Sequence, residues 1–188
     1  MAVDVLPASG RWEDFASFMV PRKPGAGGCV CTAYRDGRLD MPGRIAHMRD
    51  ECSREPGPGV LAYVDGDVAG WCSVAPKSSY RRLLNSHTIP HLDEEYDPWA
   101  IVCFVVRSRY RKRGLMHELL EGAVEHARSS GAELVEGYPA ETTGEHLDVT
   151  SGYVGTTDLF RAHGFEIIQP TKAHSGGAVR WLMRRTLH

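Results

Sequence analysis

Eight consecutive residues from Trp99 to Val106, WAIVCFVV, are apolar, and no other stretch of the 188-residue chain restricts its fold so sharply. A strand with one wet face alternates polar and apolar positions, so an unbroken run reads as a strand covered on both faces and central in its sheet. Helical spacing takes over nine residues later. Leu115, Leu119, Leu120, Ala123, Val124 and Ala127 form one stripe, His117, Glu118, Glu121, Glu125 and Arg128 lie opposite, and Gly131 is placed to end the helix. AELVEGYP then reads as a further strand over 133–138. Strand, helix and strand in this order predict a parallel pair joined by a right-handed crossover.

The flanking text supplies the remaining elements. RWEDFASFM and RLDMPGRIAHMRDECSRE read as amphipathic helices, the second with Pro42 and Gly43 near its start, where they do least harm. Two apolar runs, 60–64 and 68–74, meet at Asp65-Gly66, a strong hairpin signal. TDLFRAHGF reads as a short helix closed by Gly164, and FEIIQP and AVRWLMRRTL as two last strands. The expected fold is α+β: one domain over 1–188, a mixed and mostly antiparallel sheet with a central parallel pair and helices on both faces.

Between the central strand and its helix lies RSRYRKRG, in which Arg107, Arg109, Arg111, Lys112 and Arg113 crowd against Gly114. The chain as a whole carries a formal charge of −2, so its overall field repels nucleic acid and anionic membranes, and the basic cluster is local. A nucleic-acid-binding module needs a broad basic patch with interleaved aromatics, of which only Tyr110 is present. Free backbone amides at a helix start, beside a glycine that lets a ligand approach, make an anion site suited to phosphate or pyrophosphate. Neither GxxxxGK[ST] nor GxGxxG occurs, which disfavours nucleoside triphosphatases and nicotinamide enzymes.

Arg111-Lys112-Arg113-Gly114-Leu115-Met116, between a strand and a helix, resembles motif A of the GNAT N-acetyltransferase superfamily, with Met116 where a small residue is usual. The resemblance runs in order from the hairpin at Val60 to the final strand and includes DLFRAHGF, which looks like the family's short helix ending in Gly-Phe. It implies that the two parallel strands splay and that acetyl-CoA lies between them. The backbone of Phe104, Val105 and Val106 would then pair with the pantetheine arm. The amides of Lys112, Arg113, Gly114, Leu115 and Met116, beside the Arg111 side chain, would hold the pyrophosphate. The implied reaction is direct attack of an amine on the thioester, with no covalent enzyme intermediate and no metal.

The general acid and base are less legible. The family's frequent acid, a tyrosine four residues before the glycine of the short helix, is replaced by Phe160, and WAIVCFVV carries no carboxylate. Tyr153 is the expected substitute hydroxyl, and Glu136 and Asp97 are the carboxylates nearest in sequence to the reacting strands. A solvent-mediated proton path and a CoA-binding regulatory domain without turnover both stay open.

The five scattered cysteines suit reduced thiols, and the start of the chain lacks the pattern of a signal peptide, so a cytoplasmic location is expected. Cys103 is expected to be an inert core thiol. Cys29, Cys31, Cys52 and His47 match no common zinc spacing and are expected among small buried residues. His87 and His91, in the irregular stretch before the central strand, are expected near the surface, and that stretch is a candidate border of the acceptor cleft. Asp93, Glu94, Glu95 and Asp97 hint at a cationic acceptor, whether a small molecule or a peptide amine. A homodimer through the edge of the final strands is neither required nor excluded.

Overall fold

The computed structural model describes residues 2–23, 29–92, 95–142 and 153–188. Seven strands form one sheet: β1 (Val3–Pro7), β2 (Gly59–Val64), β3 (Asp67–Pro76), β4 (Trp99–Val106), β5 (Leu134–Gly137), β6 (Glu166–Ser175) and β7 (Ala178–Thr186). Their spatial order is β1-β2-β3-β4-β5-β7-β6, antiparallel throughout except for the parallel pair β4–β5. This is the expected α+β architecture, with the unbroken apolar run at its centre.

The strand alternation splits the core in two. Val60, Ala62, Cys72, Ile101 and Phe104 face the helix α4 (Leu115–Ser129), whose stripe from Leu115 to Ala127 is buried against them. Full burial of a leucine or valine side chain contributes about 1.5–3 kcal/mol, so this stripe fixes the crossover to the sheet. Leu61 and Trp71 point the other way, onto α1 (Trp12–Met19) and α2 (Met41–Cys52). Asp40 caps α2 by accepting the Gly43 amide at 2.9 Å, which puts Pro42 in the first turn, where its missing N–H costs nothing.

Three elements depart from the sequence reading. VDVLP folds as β1 and pairs with β2 from Val3 opposite Val64 to Pro7 opposite Val60. Part of the supposedly irregular stretch folds as a 3-10 turn (Lys77–Ser79) and the one-turn helix α3 (Arg81–Leu84), because Tyr80 and Leu83 are buried on the lower half of β4. β6 runs on to Ser175 and closes on β7 through Gly176 and Gly177, both at positive φ. The short helix α5 (Thr157–Ala162) has Thr156 as its cap and Gly164 at φ 75° just beyond. Among the described residues no helix is long and apolar enough to cross a membrane.

Candidate active site at the β4–β5 splay

Strands β4 and β5 are paired only at Trp99/Val135, Ala100/Glu136 and Ile101/Gly137. Beyond Ile101, β4 continues beside β3 but leaves β5. A bulge lies at this divergence: Ser73 stands opposite Cys103 and Val74 opposite Ile101, so Val102 has no partner on β3. Val102 and Cys103 therefore project on the same face, toward Tyr80 and Leu83.

The gap between the diverging strands holds backbone. The Phe104 amide donates to the Tyr153 carbonyl at 2.7 Å, and the Ala140 amide donates to the Gly155 carbonyl at 3.0 Å. The stretch 153–156 thus spans from β4 to the chain beyond β5, where Ala140 and Thr156 form a parallel bridge. By the two-residue alternation of a strand, the Val106 amide faces the same gap as that of Phe104.

At the open end of β4 the chain makes a 3-10 turn (Ser108–Tyr110) and a loop with two left-handed residues, Lys112 at φ 61° and Gly114 at φ 79°. Gly114 is the cap of α4, and no side chain caps the helix there. The amides from Lys112 to Met116 have no hydrogen-bond partner among the described residues. A bent run of free N–H groups at the positive end of a helix dipole is an anion cradle.

The five basic side chains divide by partner. Arg107 lies over the Phe18 ring, with its guanidinium carbon 5.0 Å from the ring centre. Arg109 pairs with Asp67 at 3.1 Å, and Arg111 donates to the Val106 carbonyl at 3.2 Å. Lys112 and Arg113 are exposed and carry no ion pair among the described residues, so their charge is free for a ligand.

The three candidate acid–base groups do not converge. Glu136 is fully buried: one oxygen is 2.6 Å from Lys77 Nζ and also accepts the Tyr138 hydroxyl, and the other accepts Arg184 Nε at 3.0 Å and Nη2 at 2.8 Å. Burial and this carboxylate hold the Tyr138 phenol well above its ordinary pKa. Asp97 is exposed and accepts both the amide and the hydroxyl of Ser78, next in sequence to Lys77. Tyr153 lies at the upper end of the gap and is 40% exposed. Asp93 and Glu94 lie outside the described residues.

Phe160 explains its own departure from the tyrosine pattern. Gly137 at the end of β5 leaves a hole that the Phe160 ring fills; a Cβ at Gly137 would come within 2.2 Å of Phe160 Cε1. The ring is fully buried, meets Phe104 and Phe165 edge-on and lies against Gly155 of the stretch in the gap, so the side chain is a core residue that floors the gap.

Sequence reasoning missed Lys77 and Arg184 as the partners of Glu136. For Arg184 the one signal was that it shares a face with Arg180 on a last strand that is apolar over Ala178, Val179 and 181–183. It also missed a cleft of about 510 Å³ beside α3, lined by Arg35, Asp36, Arg38, Arg81 and Arg82, in which Arg35 pairs with Glu51 at 3.0 Å and Arg38 with Asp36 at 3.0 Å. The Arg35 guanidinium stacks on Tyr80, 4.6 Å from the ring centre, and Tyr80 bonds Ser73 behind the β4 bulge.

The sequence matches the Acetyltransferase (GNAT) family over residues 22–143, more than half of the chain. No curated protein matches it. Solved structures share the fold at low identity. An acetyltransferase of the GNAT family from Streptococcus pneumoniae aligns at 16% identity and TM-score 0.56, covering 99% of this chain and 100% of the other. Ard1 from Thermoplasma volcanium aligns at 16% and 0.55, covering 100% and 99%. The yncA protein of Salmonella typhimurium, solved with its cofactor acetyl-CoA, aligns at 13% and 0.53, covering 100% and 95%.

Proposed function

This chain belongs to the GNAT acetyltransferase family, and from that premise we propose that it is an acyl-CoA-dependent N-acyltransferase that moves acetyl from acetyl-CoA to a primary amine in a ternary complex. The observation that carries the reading is the row of unpartnered amides from Lys112 to Met116 at the start of α4, with the uncommitted charges of Lys112 and Arg113 beside it. The yncA protein of the same fold holds acetyl-CoA.

In this reading the amides of Lys112, Arg113, Gly114, Leu115 and Met116, with the Arg111 side chain, hold pyrophosphate. Phe104, Val105 and Val106 border the pantetheine arm, and the Tyr153 carbonyl gives up the Phe104 amide when that arm enters. The amine attacks the thioester carbon, the carbonyl oxygen gains charge, and the CoA thiolate leaves. In this reading the Tyr153 phenol returns a proton to that thiolate. Asp97, exposed and oriented by Ser78, takes the proton of the amine through water. Glu136 has every acceptor position committed, so its role is to fix charge beside the gap. The cleft presents Arg81 and Arg82, and suits an acceptor, small molecule or peptide, that carries a carboxylate or phosphate besides its amine.

The test is calorimetric titration of acetyl-CoA into the wild type, Gly114→Ala and Gly114→Asp. No atom lies within 4 Å of a Cβ at Gly114, so neither variant clashes; Asp tolerates the left-handed φ at least as well as Ala, and only Asp brings a charge against pyrophosphate. Binding weakened at least about tenfold in Gly114→Asp relative to Gly114→Ala, roughly 1.4 kcal/mol, is expected. No binding by folded wild type, or equal binding by the two variants, refutes the cradle. Phe160 supports a second reading, a CoA-binding regulatory domain; binding without thiol release across a broad amine panel would favour it.

A further inference from the structure

His117 stands in the first turn of α4, and its amide donates to the Gly114 carbonyl at 2.8 Å, so its side chain leaves the helix one turn from the loop of free amides. The side chain is exposed, but its ring is not free to turn. Nδ1 lies 3.1 Å from Nε2 of His163, the residue that follows α5. Nδ1 of His163 lies 2.9 Å from a carboxylate oxygen of Glu121, one turn further along α4, and that same oxygen pairs with Arg185 of β7 at 3.2 Å. The His163 side chain is 15% exposed, and the two rings meet at 42° with their centres 5.3 Å apart. A chain of four side chains thus ties the first turn of α4 to the end of α5 and to β7.

These bonds fix where the protons sit. A carboxylate only accepts, so Nδ1 of His163 carries the hydrogen of its bond to Glu121, and Nε2 of the neutral ring offers a lone pair. His117 Nδ1 must then donate to it. That leaves His117 Nε2 as the one ring nitrogen of the pair with no partner among the described residues. One added proton goes there and breaks neither bond; a second would set two N–H groups against each other between the rings. The pair is therefore built to hold one positive charge or none, and the charge appears on the first turn of α4. The other charged groups around it are Lys112 and Arg113 on the cradle loop, Glu118 and Glu121 on α4, Arg185 on β7, and Asp158 and Arg161 of α5, which pair with each other at 3.0 Å. Beside Lys112, Arg113 and the positive end of the helix dipole, a further cation gains a partner only when an anion occupies the cradle. A phosphate there favours the charged imidazole.

We propose that His117 is a phosphate contact of the acyl-CoA site that binds by taking up a proton, with His163 and Glu121 as the positioning residues that aim its ring. The inference rests on the acyl-CoA reading and adds a regulation to it. The proton comes from solvent and joins His117 Nε2, which then donates to a phosphate oxygen; no covalent bond of the ligand changes. Glu121, reached through His163, steadies the charge from the far end. Affinity for acyl-CoA is thereby coupled to pH across the imidazole range. It is highest where the imidazolium is populated and declines as the pH rises and the contact loses its charge.

The experiment titrates acetyl-CoA calorimetrically at neutral pH in buffers of different ionisation enthalpy, where the slope of the observed heat against buffer enthalpy counts the protons taken up. The phosphate monoester of the ligand sheds protons of its own on meeting cations, so the quantity read is the difference between wild type and His117→Gln. Wild type should take up more protons than His117→Gln. Its affinity should also fall more steeply from pH 6 to pH 8, by about two- to fivefold relative to the variant, the range of an exposed charge pair. His163→Leu, which leaves His117 Nδ1 without its acceptor, should lose the extra uptake, and His163→Gln, whose amide oxygen still accepts, should keep it. Circular dichroism confirms that each variant is folded. Equal proton counts and parallel pH profiles for wild type and His117→Gln overturn the proposal and leave the amide cradle standing. Full proton uptake in His163→Leu overturns the positioning role. No binding by folded wild type removes the acyl-CoA reading and this inference together.

Discussion

Replacing Glu136 by glutamine changes one oxygen to an amide and leaves the volume alone, but removes a carboxylate that pairs with both Lys77 and Arg184. The side chains of the three residues are 6%, 0% and 13% exposed for Lys77, Glu136 and Arg184, so the two cations have little water to turn to. Breaking a buried pair from one side costs about 3–5 kcal/mol, because the remaining charge stays desolvated. Two cations share the loss here, although Arg184 is partly wet, which keeps the expectation within that range. It is a large share of the roughly 5–15 kcal/mol that holds a domain together. For a chain of this length each kcal/mol shifts the melting temperature by about 2–4 °C, so Glu136→Gln should melt about 6–20 °C lower. Urea unfolding followed by circular dichroism measures the free energy directly. Asp97→Asn, an exposed carboxylate with its hydrogen bonds to Ser78, is the comparison and should cost about 1 kcal/mol or less. A loss below about 1 kcal/mol in Glu136→Gln would show that the cluster is hydrated, and the description of Glu136 as a committed structural charge would fail.

Three further outcomes follow from the geometry. Gly137→Ala drives a methyl to 2.2 Å from Phe160 Cε1 and should cost about 1–3 kcal/mol by overpacking, read as a lower urea midpoint; an unchanged midpoint would mean the ring has room to move. Phe160→Tyr should not raise acetyl transfer, since the ring lies in the core, and should destabilise by about 1–3 kcal/mol through a buried, unpaired hydroxyl; a gain in turnover would contradict the placement. Burial against Trp99 lowers the His126 pKa, so the folded protein refuses a proton that the unfolded chain takes up once the pH drops below about 6.5. Stability from this group is complete above that pH and declines as the pH falls toward the folded value; melting curves from pH 7.5 to 5.5 should therefore fall more steeply for the wild type than for His126→Leu.

What could be read from the text and what could not follows the range of the interactions. The Trp99–Val106 strand, the stripe of α4 and the Asp65-Gly66 turn are local patterns, each specified within a dozen residues, and they appear where their periodicity put them. Strand β1 escaped because five residues alternating at a sheet edge, ending in Pro7, carry little period of their own; β2 makes them a strand. The anion loop was legible because its chemistry is backbone chemistry, set by one glycine at a helix start. The surroundings of Glu136 and Cys31 were not. Lys77 and Arg184 lie 40 residues or more from Glu136, Trp71 lies 40 residues from Cys31, whose sulfur accepts its indole N–H, and sequence spacing says nothing about such meetings. Phe160 read as a missing acid; only Gly137, brought against it from β5, shows why a ring without a hydroxyl fits there.

The three-residue seam between β4 and β5 also bears on how the molecule opens. A sheet that diverges at its centre is mechanically two leaves, β1 to β4 and β5 to β7, hinged on Trp99/Val135, Ala100/Glu136 and Ile101/Gly137. Glu136 stands on that hinge line and grips Lys77, at the end of the first leaf, and Arg184, in the second. The buried charges are thus a clasp at the one place where the sheet has too few backbone bonds to hold itself. Leaves joined this way part as units, so amide protons of β5 and β7 should exchange through a shared sub-global opening that leaves β2 and β3 protected.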